Sequence, residues 1–121
     1  MELREDKEGE KTTYHNLATV HEALGQITDA IQCHEKELNI ITKHDFGQKE
    51  EEASCSKLSS LYKALGQYEM SISYGEKALE ISKALGDKLG IGKAYELLGT
   101  AYHSLRQYEK SIGYKIGRAH V

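Results

Sequence analysis

Hydrophobic side chains recur every three or four residues along most of the chain, which is the spacing of an amphipathic α-helix. The first stripe runs through Tyr14, Leu17, His21 and Leu24, and a second begins at Ile27 after a short break. The same alternation of stripes and breaks continues to the end of the chain. It predicts six helices, at about residues 10–24, 27–43, 50–65, 68–84, 90–105 and from 108 onward.

The stripes belong to a unit that repeats along the chain. Leu24-Gly25-Gln26, Leu65-Gly66-Gln67 and Leu105-Arg106-Gln107 recur at intervals of 41 and 40 residues. Three columns upstream recur in step: Tyr14, Cys55 and Tyr95; Leu17, Leu58 and Leu98; His21, Tyr62 and Tyr102. A fixed period of this length indicates a repeat architecture, in which each unit buries its apolar face against its neighbours.

Each Leu-Gly-Gln marker predicts the turn between two helices. Glycine readily adopts the positive φ that ends a helix, and the chain has no proline to interrupt a helix interior. A column of small residues, Ala18, Ser59 and Gly99, lies between the apolar columns and would let a neighbouring helix pack closely. We therefore expect tightly packed helix pairs.

These residues resemble the tetratricopeptide repeat, a helix-turn-helix unit with a Leu-Gly pair and an alanine–aromatic pair before the turn. After the turn its pattern has an aromatic residue and an Ala-Ile pair. The second unit matches best, with Leu58, Tyr62, Leu65-Gly66, Tyr68, Ser71-Ile72 and Ala78-Leu79. The resemblance implies an all-α fold, an α-solenoid of antiparallel helix-turn-helix units forming a right-handed superhelix.

The units are about six residues longer than the common 34-residue repeat. They end in Leu85-Gly86-Asp87 or Asp45-Phe46-Gly47 rather than in proline. This longer form is similar to the arrays of the G-protein-signalling modulator family and of large animal tetratricopeptide scaffolds. We predict a connection from an upstream repeat at 1–9, repeats at 10–49 and 50–89, a truncated repeat at 90–114 and a non-native tail at 115–121.

The two ends of the chain support the predicted upstream connection and the predicted non-native tail. Asp6-Lys7 aligns with Asp87-Lys88, so a further repeat is expected upstream. Residues 116–121 resemble the translation of a widely used sequencing adapter, and a divergent true carboxyl end is the alternative. Without a capping helix, Tyr108, Ile112 and Tyr114 would form an exposed apolar edge that favours self-association.

Composition and charge exclude several classes of protein. Of the 121 residues, 39% are hydrophobic and 29% charged, as in ordinary globular proteins, and the net charge is −3. This mildly acidic, mixed charge predicts neither nucleic acid nor membrane as a partner. The charged amino terminus lacks a signal peptide, neither asparagine begins a glycosylation sequon, and the two cysteines suit reduced thiols, so we predict a cytoplasmic protein.

The sequence predicts no enzyme, cofactor or metal site. The glycine that a phosphate loop needs six residues before Lys93 is Asp87, and Ala94 replaces the metal-binding hydroxyl. No two histidines have the i, i+4 spacing of a helical zinc site. Neither His15 nor His103 has a nucleophile or paired carboxylates placed beside it, as general-base catalysis requires. Cys55 falls in a tyrosine column, and we read it as a buried apolar residue.

The family resemblance implies a binding surface, because the first helix of each pair lines a concave face that usually binds an extended or helical peptide. By helical phase its residues are Thr12, His15, Asn16, Thr19 and Glu22, then Ser56, Lys57, Ser60 and Lys63, then Lys93, Glu96, Leu97, Thr100 and His103. Three lysines against two glutamates make this groove slightly basic, which favours an acidic peptide.

Two functions remain open at this point. The first is a noncatalytic protein-interaction module that binds a peptide or helical segment of a partner in the groove, as part of a larger scaffold. The alternative is a purely architectural spacer within a longer array, with no dedicated ligand. Chaperone-tail clamps use lysine, asparagine and arginine at set groove positions, of which only Lys93 matches, so we do not expect that partner.

Overall fold

The computed structural model describes residues 4–120, which form six α-helices joined by short turns. The helices are α1 (Arg4–Ala23), α2 (Ile27–Lys43), α3 (Gln48–Ala64), α4 (Tyr68–Leu85), α5 (Lys88–Ser104) and α6 (Tyr108–Ala119). Residues 1–3 of the predicted connection and residue 121 of the predicted tail lie outside the described residues.

Every predicted helix is present, and the predicted boundaries agree within about three residues except at the start of α1. That helix begins at Arg4 rather than near residue 10, because Glu5 and Asp6 place negative charge in its first turn, where the helix dipole favours it. The last helix continues through Ala119, into the segment predicted to be non-native.

Each helix packs against the next along the chain, and α3 also contacts α5 directly. The turns within helix pairs contain three residues, which makes the paired helices antiparallel neighbours. Within the described residues the backbone of α1 packs only against α2, and α1 reaches α3 through polar side chains such as Lys11. Leu17 is therefore 44% exposed, whereas its repeat equivalents Leu58 and Leu98 are fully buried. The apolar columns form two core clusters, one around Leu58 between α2, α3 and α4, and one around Leu98 between α4, α5 and α6.

The predicted turns are confirmed in detail. Gly25 and Gly66 have φ values of 75° and 77°, and each is followed by a glutamine whose backbone N–H bonds to a carbonyl in the last turn of the preceding helix. The Gln67 N–H donates to the Tyr62 carbonyl at 3.0 Å, the geometry of a Schellman motif. The third turn adopts the same conformation with Arg106, at a φ of 61°, in the glycine position.

The small-residue column forms the close contact between paired helices. Ala18 and Ser59 are fully buried, and the Ser59 hydroxyl donates to the Ser71 carbonyl at 2.7 Å. One repeat later, Ser111 donates to the Gly99 carbonyl at 2.8 Å. Small side chains at these positions let the two helix backbones approach and share a hydrogen bond.

A tyrosine pair and a glutamate join successive repeats. The hydroxyls of Tyr62 and Tyr74 both donate to Glu35 Oε2, at 2.9 and 3.0 Å, and the two rings stack with centroids 5.7 Å apart. The arrangement recurs one repeat later, where Tyr102 donates to Glu76 at 3.2 Å and stacks on Tyr114. These tyrosines are core residues, as their spacing predicts.

The apolar edge expected on α6 is present but differs in one residue. Tyr108 and Ile112 are more than half exposed. Tyr114, in contrast, is half-buried, because its ring packs between those of Tyr95 and Tyr102. The expectation that Tyr114 belongs to the exposed edge is therefore wrong.

Candidate functional site

An open groove of about 570 Å³ lies between α3 and α5, and we call it the α3–α5 groove. Its walls are Lys49, Glu52, Ala53, Ser56, Lys57, Ser60, Lys63, Asp87, Leu89, Gly90, Lys93, Glu96 and Leu97. The predicted groove residues of α3 and the first three predicted on α5 are therefore brought together. Gly90 leaves room for the Glu52 carboxylate of α3, since an added Cβ would lie 2.6 Å from it.

One end of the groove is closed by a compact charge network. Lys49 Nζ lies 2.7 Å from Glu52 and 2.5 Å from Asp87. The Glu52 carboxylate also accepts the Ser82 hydroxyl, and Asp87 accepts the Gly90 N–H at 3.1 Å. The Lys49 ammonium lowers the pKa of Asp87 to about 2 and has its own pKa raised by Asp87 and Glu52. At this end of the groove Lys49 is thus ion-paired with both carboxylates.

The rest of the groove presents positive charge with less compensation. Among residues 4–120, neither Lys63 nor Lys93 forms an ion pair. Lys57 Nζ forms an ion pair with Glu22 Oε1 at 3.3 Å, and Glu96 Oε2 lies 3.9 Å from Arg118 Nε. Two lysines on facing helices are consequently free to contact a negatively charged ligand.

The groove has a second leucine, Leu89, beside the predicted Leu97. Leu89 is 71% exposed and lies on the same face of α5 as Lys93 and Leu97, at i, i+4 and i+8. The helical phase that selected Lys93 and Leu97 would also have selected Leu89. Leu89 and Lys49 each precede the predicted start of their helix, at residues 90 and 50, so neither is among the predicted groove residues.

A second cavity, of about 400 Å³, is bounded by the first three helices. Its lining includes the predicted groove residues Thr12, His15 and Lys57. Neither cavity is lined by Asn16, Thr19, Glu22, Thr100 or His103. The Thr19 hydroxyl donates to the His15 carbonyl of its own helix. The predicted surface is thus two cavities that share Lys57 and Ala53 rather than one continuous groove.

His15, His34 and Glu37 meet in this second cavity, and Glu22 lies next to them. His15 Nδ1 lies 3.0 Å from Glu37 Oε2, and His34 Nδ1 lies 2.8 Å from Glu37 Oε1. The other nitrogen of His34, Nε2, lies 3.2 Å from Glu22. Burial acts to raise the pKa of Glu22, but hydrogen bonds from His34 and Lys57 outweigh it, and the pKa is lowered. The ligand atoms of His15, His34 and Glu37 all lie within 4.8 Å of one another, close enough for a metal ion.

The spacing of histidines along one helix does not predict this cluster, because its ligands come from two helices. His15 lies on α1 and His34 on α2, and the two rings meet edge to face with centroids 5.9 Å apart. A pairing across the helix hairpin could have been found by placing both residues on the predicted helix faces.

The thiol of Cys55 is fully enclosed in the core, whereas that of Cys33 is partly buried. Burial raises the pKa of the Cys55 thiol to about 11, which disfavours the nucleophilic thiolate. None of the helices within residues 4–120 combines the length and hydrophobicity needed to cross a bilayer.

Comparisons with known proteins agree with the fold. Two family models described as tetratricopeptide repeat match the chain, one over residues 50–114 and the other over residues 12–43. The TPR domain of Arabidopsis FLU has a TM-score of 0.84 and 20% identity, and the match covers 93% of this chain and 94% of that one.

A Podospora anserina putative kinesin light chain with nearly identical TPR-like repeats gives a TM-score of 0.72 at 23% identity, over 86% of this chain and 51% of that one. Comparison with curated proteins gives no match. The structural similarity concerns the fold alone, and it confirms the predicted α-solenoid.

Proposed function

The chain belongs to the tetratricopeptide repeat family, whose domains generally serve protein–protein interaction, and we propose that its α3–α5 groove binds an acidic segment of a partner protein. The observation that carries the proposal is the pair of uncompensated lysines, Lys63 and Lys93, on facing walls of one groove. An acidic ligand supplies the charge that this part of the chain does not supply itself.

The apolar wall makes the ligand more specific than a run of negative charge. Leu89 is highly exposed for a leucine and lies in the same groove as the half-buried Leu97 and the lysines. A bound segment with one apolar side chain beside its carboxylates would bury Leu89, and hydrophobic burial is worth about 25 cal/mol per Å². The ligand is therefore an acidic peptide or helix with an apolar anchor.

The proposed role is noncatalytic. The ion pairing of the groove's charged residues and the raised pKa of the Cys55 thiol support it. Lys49 is paired with both Glu52 and Asp87 at the end of the groove, and these ion pairs hold its wall in place. The Cys55 thiol lies in the core with a raised pKa, away from the groove. The proposal places the domain in the cytoplasm, where both thiols stay reduced, as part of a larger scaffold.

The exposed edge of α6 supports a second contact of a different kind. Tyr108 and Ile112 present apolar surface that another repeat or a second copy of the chain would cover. Sedimentation equilibrium of the chain and of a Tyr108→Ser/Ile112→Ser variant tests this. Association should weaken in the variant, and equal association of both proteins would exclude this edge.

Panning a display library of random peptides on the purified chain tests the main proposal. The enriched peptides should be acidic with a recurrent apolar residue, and a synthetic copy should bind with an affinity that falls as salt rises. The double variant Lys63→Glu/Lys93→Glu should lose at least about tenfold in affinity while keeping its helicity, because the new carboxylates repel those of the peptide.

Matched controls exclude a general effect of net charge. Lys43 and Lys77 are exposed lysines of α2 and α4 outside the groove, and their double reversal changes the net charge by the same amount. This control should bind as the unmodified chain does. Enrichment of no peptide, or equal binding by both double variants, would instead favour the architectural spacer.

A further inference from the structure

We propose that His15, His34 and Glu37 form a zinc site that fastens the helices of the first repeat to each other. The site is separate from the α3–α5 groove, and its ligands come from α1 and α2. Two imidazole nitrogens and one carboxylate are a ligand set that zinc accepts, with a fourth position left for water.

The distances already approach those of zinc coordination. A tetrahedral zinc ion with bonds of about 2.0–2.1 Å holds its ligand atoms about 3.4 Å apart. The two histidine Nδ1 atoms lie 3.0 and 2.8 Å from the Glu37 oxygens, where hydrogen atoms now bridge each pair. A zinc ion would replace those bridging protons. The side chain of His15 is 56% exposed, so its ring can adjust by the small movement required.

Glu22 lies where a metal-bound His34 would need a hydrogen-bond acceptor for its second ring nitrogen. When Nδ1 of His34 binds zinc, Nε2 carries the hydrogen and donates a hydrogen bond to Glu22, whose oxygen lies 3.2 Å away. A carboxylate in this position fixes the tautomer and orientation of the ring and raises its basicity as a ligand. Glu22 is in turn held by Lys57 at 3.3 Å.

The charge balance of the cavity also favours a cation at this point. Glu37 is only 8% exposed, and its two oxygens face histidines. The lysines that line the cavity are directed elsewhere, Lys11 to Glu50 at 2.6 Å and Lys57 to Glu22. In the described part of the chain Glu37 has no lysine or arginine partner, so its carboxylate is available to the two histidines and to a cation bound between them. A zinc ion there would face a buried carboxylate, the environment that favours a bound cation.

The test is a zinc titration of the tag-free, metal-stripped chain in competition with a chromophoric chelator. We expect one zinc per chain, and cobalt in its place should give the visible absorption of a tetrahedral site. His15→Ala should weaken binding by at least about tenfold, and Glu22→Gln by about 10- to 100-fold. Because His15 is exposed, its replacement should leave the helical circular dichroism unchanged.

Two further variants separate this site from other thiol or histidine ligands. His103→Ala removes an exposed histidine of α5, and Cys33→Ser removes the thiol adjacent to His34. Both should bind zinc as the unmodified chain does. The proposal is overturned if micromolar zinc does not bind, if His15→Ala leaves the affinity unchanged, or if Cys33→Ser abolishes binding.

Discussion

The Tyr62 hydroxyl donates a 2.9 Å hydrogen bond to Glu35 and so joins α3 of the second repeat to α2 of the first. The same carboxylate accepts a hydrogen bond from the Tyr74 hydroxyl. Burial raises the pKa of Tyr62 to about 12, with a smaller contribution from its hydrogen bond to Glu35. Glu35→Ala leaves two half-enclosed hydroxyls without their acceptor. We expect it to lower the free energy of unfolding by about 1–3 kcal/mol in urea titrations.

The equivalent residue of the next repeat provides the comparison. Glu76 is exposed and accepts one tyrosine hydroxyl, at the longer distance of 3.2 Å. Glu76→Ala should therefore cost less than Glu35→Ala. Equal losses, or no loss in either variant, would mean that these bonds do not stabilise the junctions between repeats.

Two helical glycines should respond in opposite directions to alanine. At Gly113, inside α6, an added Cβ would meet no atom within 4 Å, so Gly113→Ala should stabilise the protein by about 0.5–1 kcal/mol through helix propensity. At Gly90 a Cβ would lie 2.6–2.7 Å from Glu52, Asp87 and Ser82. Gly90→Ala should destabilise by about 1–3 kcal/mol in thermal or urea unfolding. Stabilisation by both changes would show that Glu52, Asp87 and Ser82 do not require the space at Gly90.

The turn at Arg106 offers a stabilising substitution. Its φ of 61° is strained for a residue with a side chain, and the corresponding residue in the earlier turns is glycine. Arg106→Gly should raise the free energy of unfolding by about 0.5–1 kcal/mol, since the extra freedom of glycine in the unfolded chain offsets part of the gain. Gly66→Ala, the reverse change at φ 77°, should lower it by about 1 kcal/mol. A destabilised Arg106→Gly protein would contradict this explanation.

The buried thiol predicts a pH dependence. Burial raises the pKa of Cys55 from 9.0 to about 11, so the folded chain keeps a proton that the unfolded chain loses. Its contribution to stability is complete below pH 9 and is lost as the pH rises through 11. In a Cys33→Ser protein, the melting temperature should fall over this range more than in Cys33→Ser/Cys55→Ala.

Thiol labelling gives an independent check on Cys55. In the Cys33→Ser protein, labelling at about pH 8 should be slow until urea unfolds the chain, because the thiol is fully enclosed. Rapid labelling of the folded protein would show that the core around Cys55 opens readily.

The fold was predictable because the same pattern of apolar, small and turn residues occurs three times along the chain. The Leu-Gly-Gln turns, the buried Leu58 and Leu98 columns and the close contact at Ser59 all follow from that alignment. The helix starts were less predictable. Charged residues with good helix propensity extend α1 back to Arg4, where no apolar stripe indicates a helix.

The candidate sites were predictable only as far as helical phase determines them. Phase placed Lys63 and Lys93 on the groove face, and the structure brings both into the α3–α5 groove. It could not show that Lys49 is neutralised by Glu52 and Asp87, because that depends on how α3, α5 and their connection pack. The meeting of His15 with His34 depends in the same way on the rotation of two helices about their axes.

The most direct test of the proposed groove is an NMR titration of the isotopically labelled chain with an acidic peptide selected by display. We expect backbone amide shifts to concentrate on the groove walls, at Ser56, Ser60 and Lys63 of α3 and at Lys93 and Leu97 of α5. They should disappear in Lys63→Glu/Lys93→Glu. Shifts concentrated on α2 and α4, or unchanged in that variant, would contradict binding in the α3–α5 groove.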